Sequence, residues 1–527
     1  MDHLFDVPPE RRTLSAVLRD RADEHPDAEF LTVGERVWTY GQFHAWSTRI
    51  AAGLQSLGVA PGDRVLLMLP NCAEFVAVWL ACAQIGAVEV PVNTAYKGMV
   101  LEHVVGNSGA RVAVVAGEFL DRFAPFPALQ HVVVWNRLKS NNPGANVVDW
   151  LHLEEERRVQ RSEVRHTDQM AILYSSGTTG LSKGIMLSHN YFWFSGMRSA
   201  AHGRVQQADR LYTCLPLFHA NAQALTVMSA LVSGASVILD SRFSASRFWD
   251  RLRAVRASRF NYIGGMIPIL MKQPVTDIDR RHGVEFALGA AAPADQFLEF
   301  EDRFGVTLIE SYGQTENCVA LANPVDDRRI GSVGKAICGY DVALVDDEDE
   351  PVRVGQTGEL VFRPRYPNIM MDGYHAMPEA TLAASRNLWF HSGDLLRRDA
   401  DDYFYYVDRK KDAIRRRGEN ISAYEVELVV NAHPEVAESA AIAVPSEVGE
   451  DEVMVFVVVK PGAQLSQLDL ITHCDGRMPY FAVPRYVEFR DELPKTPTHR
   501  IEKYRLRQEG LSADTWDRER SGFELTR

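Results

Sequence analysis

The sequence predicts an α/β fold, and three observations carry that prediction. Short β-branched runs alternate with longer amphipathic segments over most of the chain, the pattern of largely parallel sheets crossed by helices. From residue 339 the texture changes to short strands joined by acidic turns, which predicts a small β-rich lobe. Beyond a dense charge run at 408–417 a fresh α+β pattern begins, so a smaller C-terminal domain is expected there. At 527 residues, 46% apolar and 24% charged, the chain can bury a large core, and disorder is excluded as its main state.

The elements follow in order. Strands are expected at 65–69, 88–92, 112–115, 131–135, 171–174, 211–215, 235–239 and 286–288, where apolar runs of strand length occur. Helical periodicity covers 14–22 and 43–57. The most apolar stretch, 75–92, is interrupted by Gln84, Gly86, Glu89 and Pro91, so it reads as a buried helix followed by a strand and not as a membrane span. In the β-rich lobe, strands at 342–345, 358–363 and 403–407 flank turns such as Asp346-Asp347-Glu348-Asp349. The C-terminal pattern is helix 423–432, strands 439–444 and 453–459, then helix 468–477. No internal repeat is visible, which excludes a solenoid.

Charge and cysteine usage narrow the function. The net charge of −13 argues against a nucleic-acid partner, which would favour a basic protein. A small anionic ligand stays open, because backbone N–H groups hold phosphate on an acidic protein. Six cysteines, with no C-x-x-C pair, read as reduced and mostly buried thiols of a cytoplasmic protein, not as a disulfide or zinc framework. The first twelve residues are charged and carry no apolar signal core.

The most informative segment runs from Tyr174 through Ser175, Ser176, Gly177, Thr178, Thr179, Gly180, Leu181, Ser182 and Lys183 to Gly184, directly behind an expected strand. Glycines let the backbone approach a phosphate, successive N–H groups form an anion nest, and the hydroxyls and Lys183 add donors and charge. It is not a Walker A loop. This segment resembles the phosphate loop of the adenylate-forming superfamily of acyl-CoA synthetases, peptide-synthetase adenylation domains and luciferases, with Ser182 where the family usually has Pro. The resemblance recurs in order along nearly the whole chain and is strongest to crotonobetaine/carnitine-CoA-ligase-like synthetases.

The resemblance implies a role for each further motif. Pro216-Leu-Phe-His-Ala220 resembles the aromatic-His motif, which puts His219 against the acyl and pantetheine pockets. Ala291, Ala292 and Pro293 resemble the small-residue turn flanking adenine and the acyl group, and residues 260–268 are expected to line the acyl pocket. In Tyr312-Gly313-Gln314-Thr315-Glu316 the aromatic would stack on adenine, Thr315 would contact phosphate, and Glu316, with Thr179, would hold Mg²⁺. Asp394 would accept from the ribose hydroxyls, joined by Arg409, with Lys411 the hinge pivot. The loop 417–420, with Gly418, resembles the one that docks at the pantetheine tunnel; the family's second glycine is Arg417 here. Residues 494–501 sit where the family has its catalytic lysine, but here the Gly-Lys pair is His499-Arg500, with Lys495 and Lys503 nearby. Arg500 keeps the positive charge and can bind phosphate bidentately.

The implied architecture is a large N-terminal domain (1–407) of two parallel-type sheets with helices and a β-rich lobe, a hinge (408–412) and a small mobile C-terminal domain (413–527). The implied chemistry is AMP-forming ligation of a small carboxylate to CoA, with ATP and Mg²⁺, by a monomer or homodimer. After His219 the segment Asn221-Ala-Gln223 lacks the Asp that pairs an amino-acid ammonium, which argues against amino-acid activation. Three alternatives remain open: adenylation of another oxyacid such as nitrite, giving an aromatic-amine diazotase without CoA; a degenerate nucleotide-binding protein without turnover; and luciferase-like oxidation, for which no feature speaks.

Overall fold

The computed structural model describes residues 6–124, 126–137, 146–175, 182–410, 413–417, 419–446, 449–494, 501 and 503–526. The chain forms two compact units: the larger holds Met1–Thr94, Val105–Tyr174 and Gly184–Asp408, the smaller Ala95–Val104, Ser175–Lys183 and Arg409–Arg527.

The larger unit contains two big α/β sheets. In the first, Thr307–Tyr312, Phe286–Ala290, Arg259–Ile263, Arg210–Thr213, Ser236–Leu239 and Glu29–Val33 lie side by side and parallel. Both edges are antiparallel: Arg36–Thr39 at one end, Leu321–Ala322 and Lys335–Ala336 at the other. The second sheet runs Val147–Asp149, His131–Trp135, Val112–Ala116, Arg64–Met68, Val88–Pro91 and Gln169–Ser175 in parallel, continues to Lys183–Ser188, and ends on the antiparallel strand Gly373–Tyr374. The sheets are therefore mixed rather than purely parallel. The antiparallel edge strands are two to four residues long, and of them Arg36–Thr39 returns on Glu29–Val33 through a tight turn, a connection that only antiparallel pairing allows.

Where an expected strand lies inside a sheet, burial explains its apolar run. Val65, Leu66, Leu67 and Met68 are wholly buried, as interior parallel strands require. Helix Ala73–Ile85 is apolar and buried except at Glu74 and Gln84 near its two ends, and it stops at Gly86, whose φ of 70° is the left-handed C-terminal cap. Helix Tyr40–Ser56 opens with a capping box between Thr39 and Gln42, and helix His189–His202 is capped by Ser188.

The β-rich lobe is a four-stranded sheet, ordered Tyr340–Val345, Thr357–Pro364, Phe390–Arg398 and Phe404–Arg409. The charge run is not a helix face where described: its residues Ala413–Arg416 pair with Glu419–Ser422 in a hairpin. In the smaller unit Val436–Pro445, Asp451–Val459, Tyr486–Arg490 and Trp516–Asp517 form one sheet. Helices Ala423–Asn431 and Gln467–Cys474 cover one face, and Leu506 of Lys503–Glu509 packs on the other. All six cysteines are free, and only Cys338 is not buried. Among the described residues no helix is long and apolar enough to cross a membrane.

Candidate active site

The motifs in the larger unit converge at the C-terminal ends of the first sheet's parallel strands, the end at which α/β sheets bind ligands. Strand Thr307–Tyr312 delivers Tyr312 and runs into Gly313-Gln314-Thr315-Glu316. Strand Phe390–Arg398 carries Asp394, 82 residues away in sequence. The Tyr312 hydroxyl donates to Asp394 Oδ2 at 2.6 Å, and the Gln314 amide donates to the same oxygen at 2.8 Å and to the Ser392 carbonyl at 2.8 Å. Asp394 is only 2% exposed. Ser392 Oγ accepts from the Asp394 N–H at 3.1 Å and donates to the Leu360 carbonyl at 2.6 Å, which fixes the backbone beneath the carboxylate. Gly313 is required by space: a Cβ there would lie 1.5 Å from the Cys318 carbonyl oxygen.

The turn at 291–293 is held from below. Ala291 adopts φ 64°, a left-handed conformation that costs a residue with a side chain about 1 kcal/mol or more. Its N–H and that of Ala292 (3.3 Å) both donate to the Glu310 carboxylate, which also accepts from the buried Tyr262 hydroxyl at 2.7 Å. Burial, reinforced by the Glu310 charge, pushes the Tyr262 phenol far above its ordinary value, so it remains a donor. Gly264 admits the turn, since a Cβ there would meet the Ala291 carbonyl oxygen at 2.0 Å.

His219 is half-buried, with its N–H donating to the Pro216 carbonyl at 3.1 Å and its ring 4.7 Å from that of Phe218. The segment before it is gripped by Asn71, whose amide donates to the carbonyls of Leu215 (2.9 Å) and Asp240 (3.0 Å) and accepts from the Leu217 N–H (2.9 Å). A π-helix, Asn221–Val227, follows, a conformation that recurs at functional sites. Asn261 donates to the Asn221 side-chain carbonyl at 3.3 Å.

Glu316 Oε1 accepts from the Tyr374 hydroxyl at 3.0 Å, and the Thr315 carbonyl from the Tyr191 hydroxyl at 2.7 Å. Burial first, then the Glu316 charge, pushes the Tyr374 phenol well up, so it too stays protonated. Among the described residues no cluster of three or more His, Cys, Asp or Glu side chains forms a protein-only metal cage. A single carboxylate suits Mg²⁺, which takes one or two protein oxygens and completes its shell with phosphates and water.

Lys183 opens strand Lys183–Ser188 and is half-buried. Ser176, Gly177, Thr178, Thr179, Gly180, Lys411, Gly418, His499, Arg500 and Lys495 lie outside the described residues, as do the side chains of Ser175 and Arg409. Arg417 adopts φ 52°, the left-handed region that favours glycine. Lys503 is tied to Glu427 at 2.5 Å within the smaller unit.

Four side chains of this constellation were not singled out from the sequence: Asn71, Glu310, Glu359 and Tyr374. Glu359 accepts from the Gly393 N–H at 3.1 Å and lies 3.3 Å from the His391 ring. For Glu310 and Glu359 the available signal was a carboxylate among the apolar residues of a strand, as in Thr307–Tyr312 and Thr357–Pro364. A buried charge without a partner is too costly to keep, so such a residue points to a bonded role.

The family of AMP-binding enzymes matches residues 18–375, and the AMP-binding enzyme C-terminal domain matches residues 425–500. A crotonobetaine/carnitine–CoA ligase of Salmonella typhimurium is 31% identical over 482 residues, covering 90% of this chain and 93% of the relative. Among solved structures, an anthranilate CoA ligase in complex with anthranoyl-AMP superposes with a TM-score of 0.72 at 26% identity, over 96% of this chain and 98% of that one. A double mutant of o-succinylbenzoate CoA synthetase from Bacillus subtilis shares the fold with a TM-score of 0.83 at 23% identity, over 94% and 98% of the two chains. With the nucleotide-type motifs assembled at one sheet end and both family domains present in order, the chain belongs to the AMP-binding enzymes and is an adenylate-forming ligase of the acyl-CoA synthetase type.

Proposed function

We propose that this protein joins a small carboxylic acid to CoA at the expense of ATP, through an acyl-adenylate. The observation that carries the reading is the buried corner in which Tyr312 and Gln314 hold Asp394. A carboxylate fixed by two donors beside an aromatic ring suits a nucleoside, with the ring against adenine and the acid accepting from ribose hydroxyls. Arg409 would add a second ribose contact, and the 291–293 turn would wall adenine and the acyl group.

In the first half-reaction a carboxylate oxygen attacks the α-phosphorus of ATP. The bond from that phosphorus to the bridging oxygen breaks, and pyrophosphate leaves with the electron pair. The protein's share is electrostatic: donors of the phosphate loop (Ser175, Ser176, Gly177, Thr178, Thr179 and Gly180), Thr315, Lys183 and Arg500 neutralise charge spread over the phosphoryl oxygens. Glu316 and Thr179 would hold Mg²⁺, which supplies further neutralisation there. In the second half-reaction the CoA sulfur attacks the acyl carbon, AMP departs, and the thiol proton passes to solvent. His219 and the loop around Gly418 would border the thiol's path. The hinge at 408–412, with Lys411 as pivot, would let the C-terminal domain (413–527) serve each half-reaction in turn.

The test is release of AMP and pyrophosphate from Mg-ATP against short, medium and aromatic carboxylates, each with and without CoA, beside nitrite with an aromatic amine. CoA-dependent AMP release with an acid class is expected. Release with nitrite and amine, indifferent to CoA, would overturn the reading; no observation in the site favours that alternative.

A further inference from the structure

At the stretch expected to line the acyl pocket, two amides meet through a single hydrogen bond. In strand Arg259–Ile263 the Tyr262 side chain turns to Glu310, so by alternation Asn261 and Ile263 project from the opposite face. Ile263 is half-buried at the strand's end beside its partner Ala290, where the face opens. Asn261 sits one step deeper at 7% exposure and meets Asn221, two residues past His219, on the π-helix. Their single bond uses one Asn261 N–H and the Asn221 carbonyl. Among the described residues no other hydrogen bond is seen for the Asn261 carbonyl or the Asn221 N–H groups, and neither amide has a fully buried unpaired atom, so these groups are open to a ligand or to solvent.

The tie between helix and strand leaves an acceptor and donors together on a surface that is buried at Asn261 and half-buried at Asn221. Exchanging O and N of both amides together keeps the bond and still leaves one carbonyl and several N–H groups. Such a pair suits a neutral group that both donates and accepts. A carboxylate would face the amide carbonyl, a quaternary ammonium has no hydrogen to give it, and an alkyl chain would strand both amides dry.

We infer that the acid substrate carries a neutral hydrogen-bonding group, a hydroxyl or a primary amide, read by Asn221 and Asn261. This rests on the carboxylate–CoA ligase reading above. Sites that bond a substrate hydroxyl discriminate strongly against the analogue lacking it.

The experiment measures kcat/KM for CoA-dependent AMP release with isosteric pairs: 4-hydroxybutanoate against pentanoate, 3-hydroxybutanoate against 3-methylbutanoate, 3-hydroxybenzoate against 3-methylbenzoate, and glutarate monoamide against glutarate. A trimethylammonio-butanoate is run beside them. At least one hydroxy or amide acid should exceed its partner by about tenfold or more. Asn261→Leu and Asn221→Leu should bring that ratio towards one. The ratio is internal to each variant, so partial misfolding does not mimic the effect. Methyl, dicarboxylate or trimethylammonio acids preferred throughout, or a ratio unmoved in both variants, would overturn the inference while leaving the ligase reading intact. No AMP release with any acid would sink both.

Discussion

The Tyr312 hydroxyl donates to Asp394 Oδ2 across 2.6 Å, joining two motifs 82 residues apart into one buried corner. Hydrogen bonds to a charged group contribute about 1.5–3 kcal/mol. Tyr312→Phe keeps the ring but removes that donor and leaves Gln314 to orient the carboxylate alone. ATP affinity should fall about tenfold, read by titration calorimetry, with thermal stability nearly unchanged. An ATP affinity equal to wild type would show that Gln314 suffices.

Gly313→Ala tests the space beneath the same loop. A Cβ placed 1.5 Å from the Cys318 carbonyl cannot be absorbed by rotating a side chain, because the obstacle is backbone. The variant should lose about 3 kcal/mol or more in stability, measured by denaturant unfolding, and bind ATP poorly.

Tyr374→Phe removes the donor at Glu316 Oε1. The freed carboxylate should hold a cation less well, so half-saturation with Mg²⁺ should need about three to ten times more metal. Manganese binding followed by electron paramagnetic resonance in the presence of ATP gives a readout separate from turnover.

Arg500 is proposed above to neutralise phosphoryl charge during adenylation. Arg500→Ala should cut acyl-adenylate formation by about 10²–10³ with ATP affinity little altered, the loss typical of one charge-neutralising donor. Arg500→Lys should restore most of it. Equal rates for all three proteins in single-turnover assays would remove Arg500 from the mechanism.

His189 sets a pH dependence. It is fully buried, and its Nδ1 accepts from the Leu14 N–H at 3.2 Å. Burial lowers its folded pKa to about 4, against about 6.5 when unfolded. A depressed folded pKa gives stability that is fully present above about 6.5 and is lost as pH falls through about 4. The contribution is about 3 kcal/mol. Thermal midpoints between pH 7 and 4 should fall less steeply in His189→Gln, which keeps an acceptor without a titrating ring. His202, lowered to about 4 for the same reason, will leave part of the slope. An identical slope in the variant would contradict the assignment.

The order of elements was legible in the sequence because it depends on local patterning. The run 75–92 was read as helix then strand, and it is helix Ala73–Ile85 and strand Val88–Pro91. Three of the four lobe strands and the C-terminal α+β pattern fell within a few residues of expectation for the same reason. What was missed includes the parallel strands Glu29–Val33, Arg259–Ile263 and Thr307–Tyr312 and the lobe strand Phe390–Arg398, besides short antiparallel edges such as Gly373–Tyr374, two residues that carry no period to detect.

The sequence by itself determined the family and the identity of the motif side chains, since Tyr312, Glu316 and Asp394 are chemical types at fixed spacings along one chain. Only the tertiary structure decided which atoms meet. Asp394 Oδ2 is bound by Tyr312 and Gln314, Glu310 lies beneath the 291–293 turn, Asn71 grips the strand end before His219, and Tyr374 reaches Glu316. The physical reason is range. Propensity and periodicity act over a few residues, whereas a buried carboxylate finds its donors only after sheet packing has excluded water and brought distant strand ends within hydrogen-bonding distance.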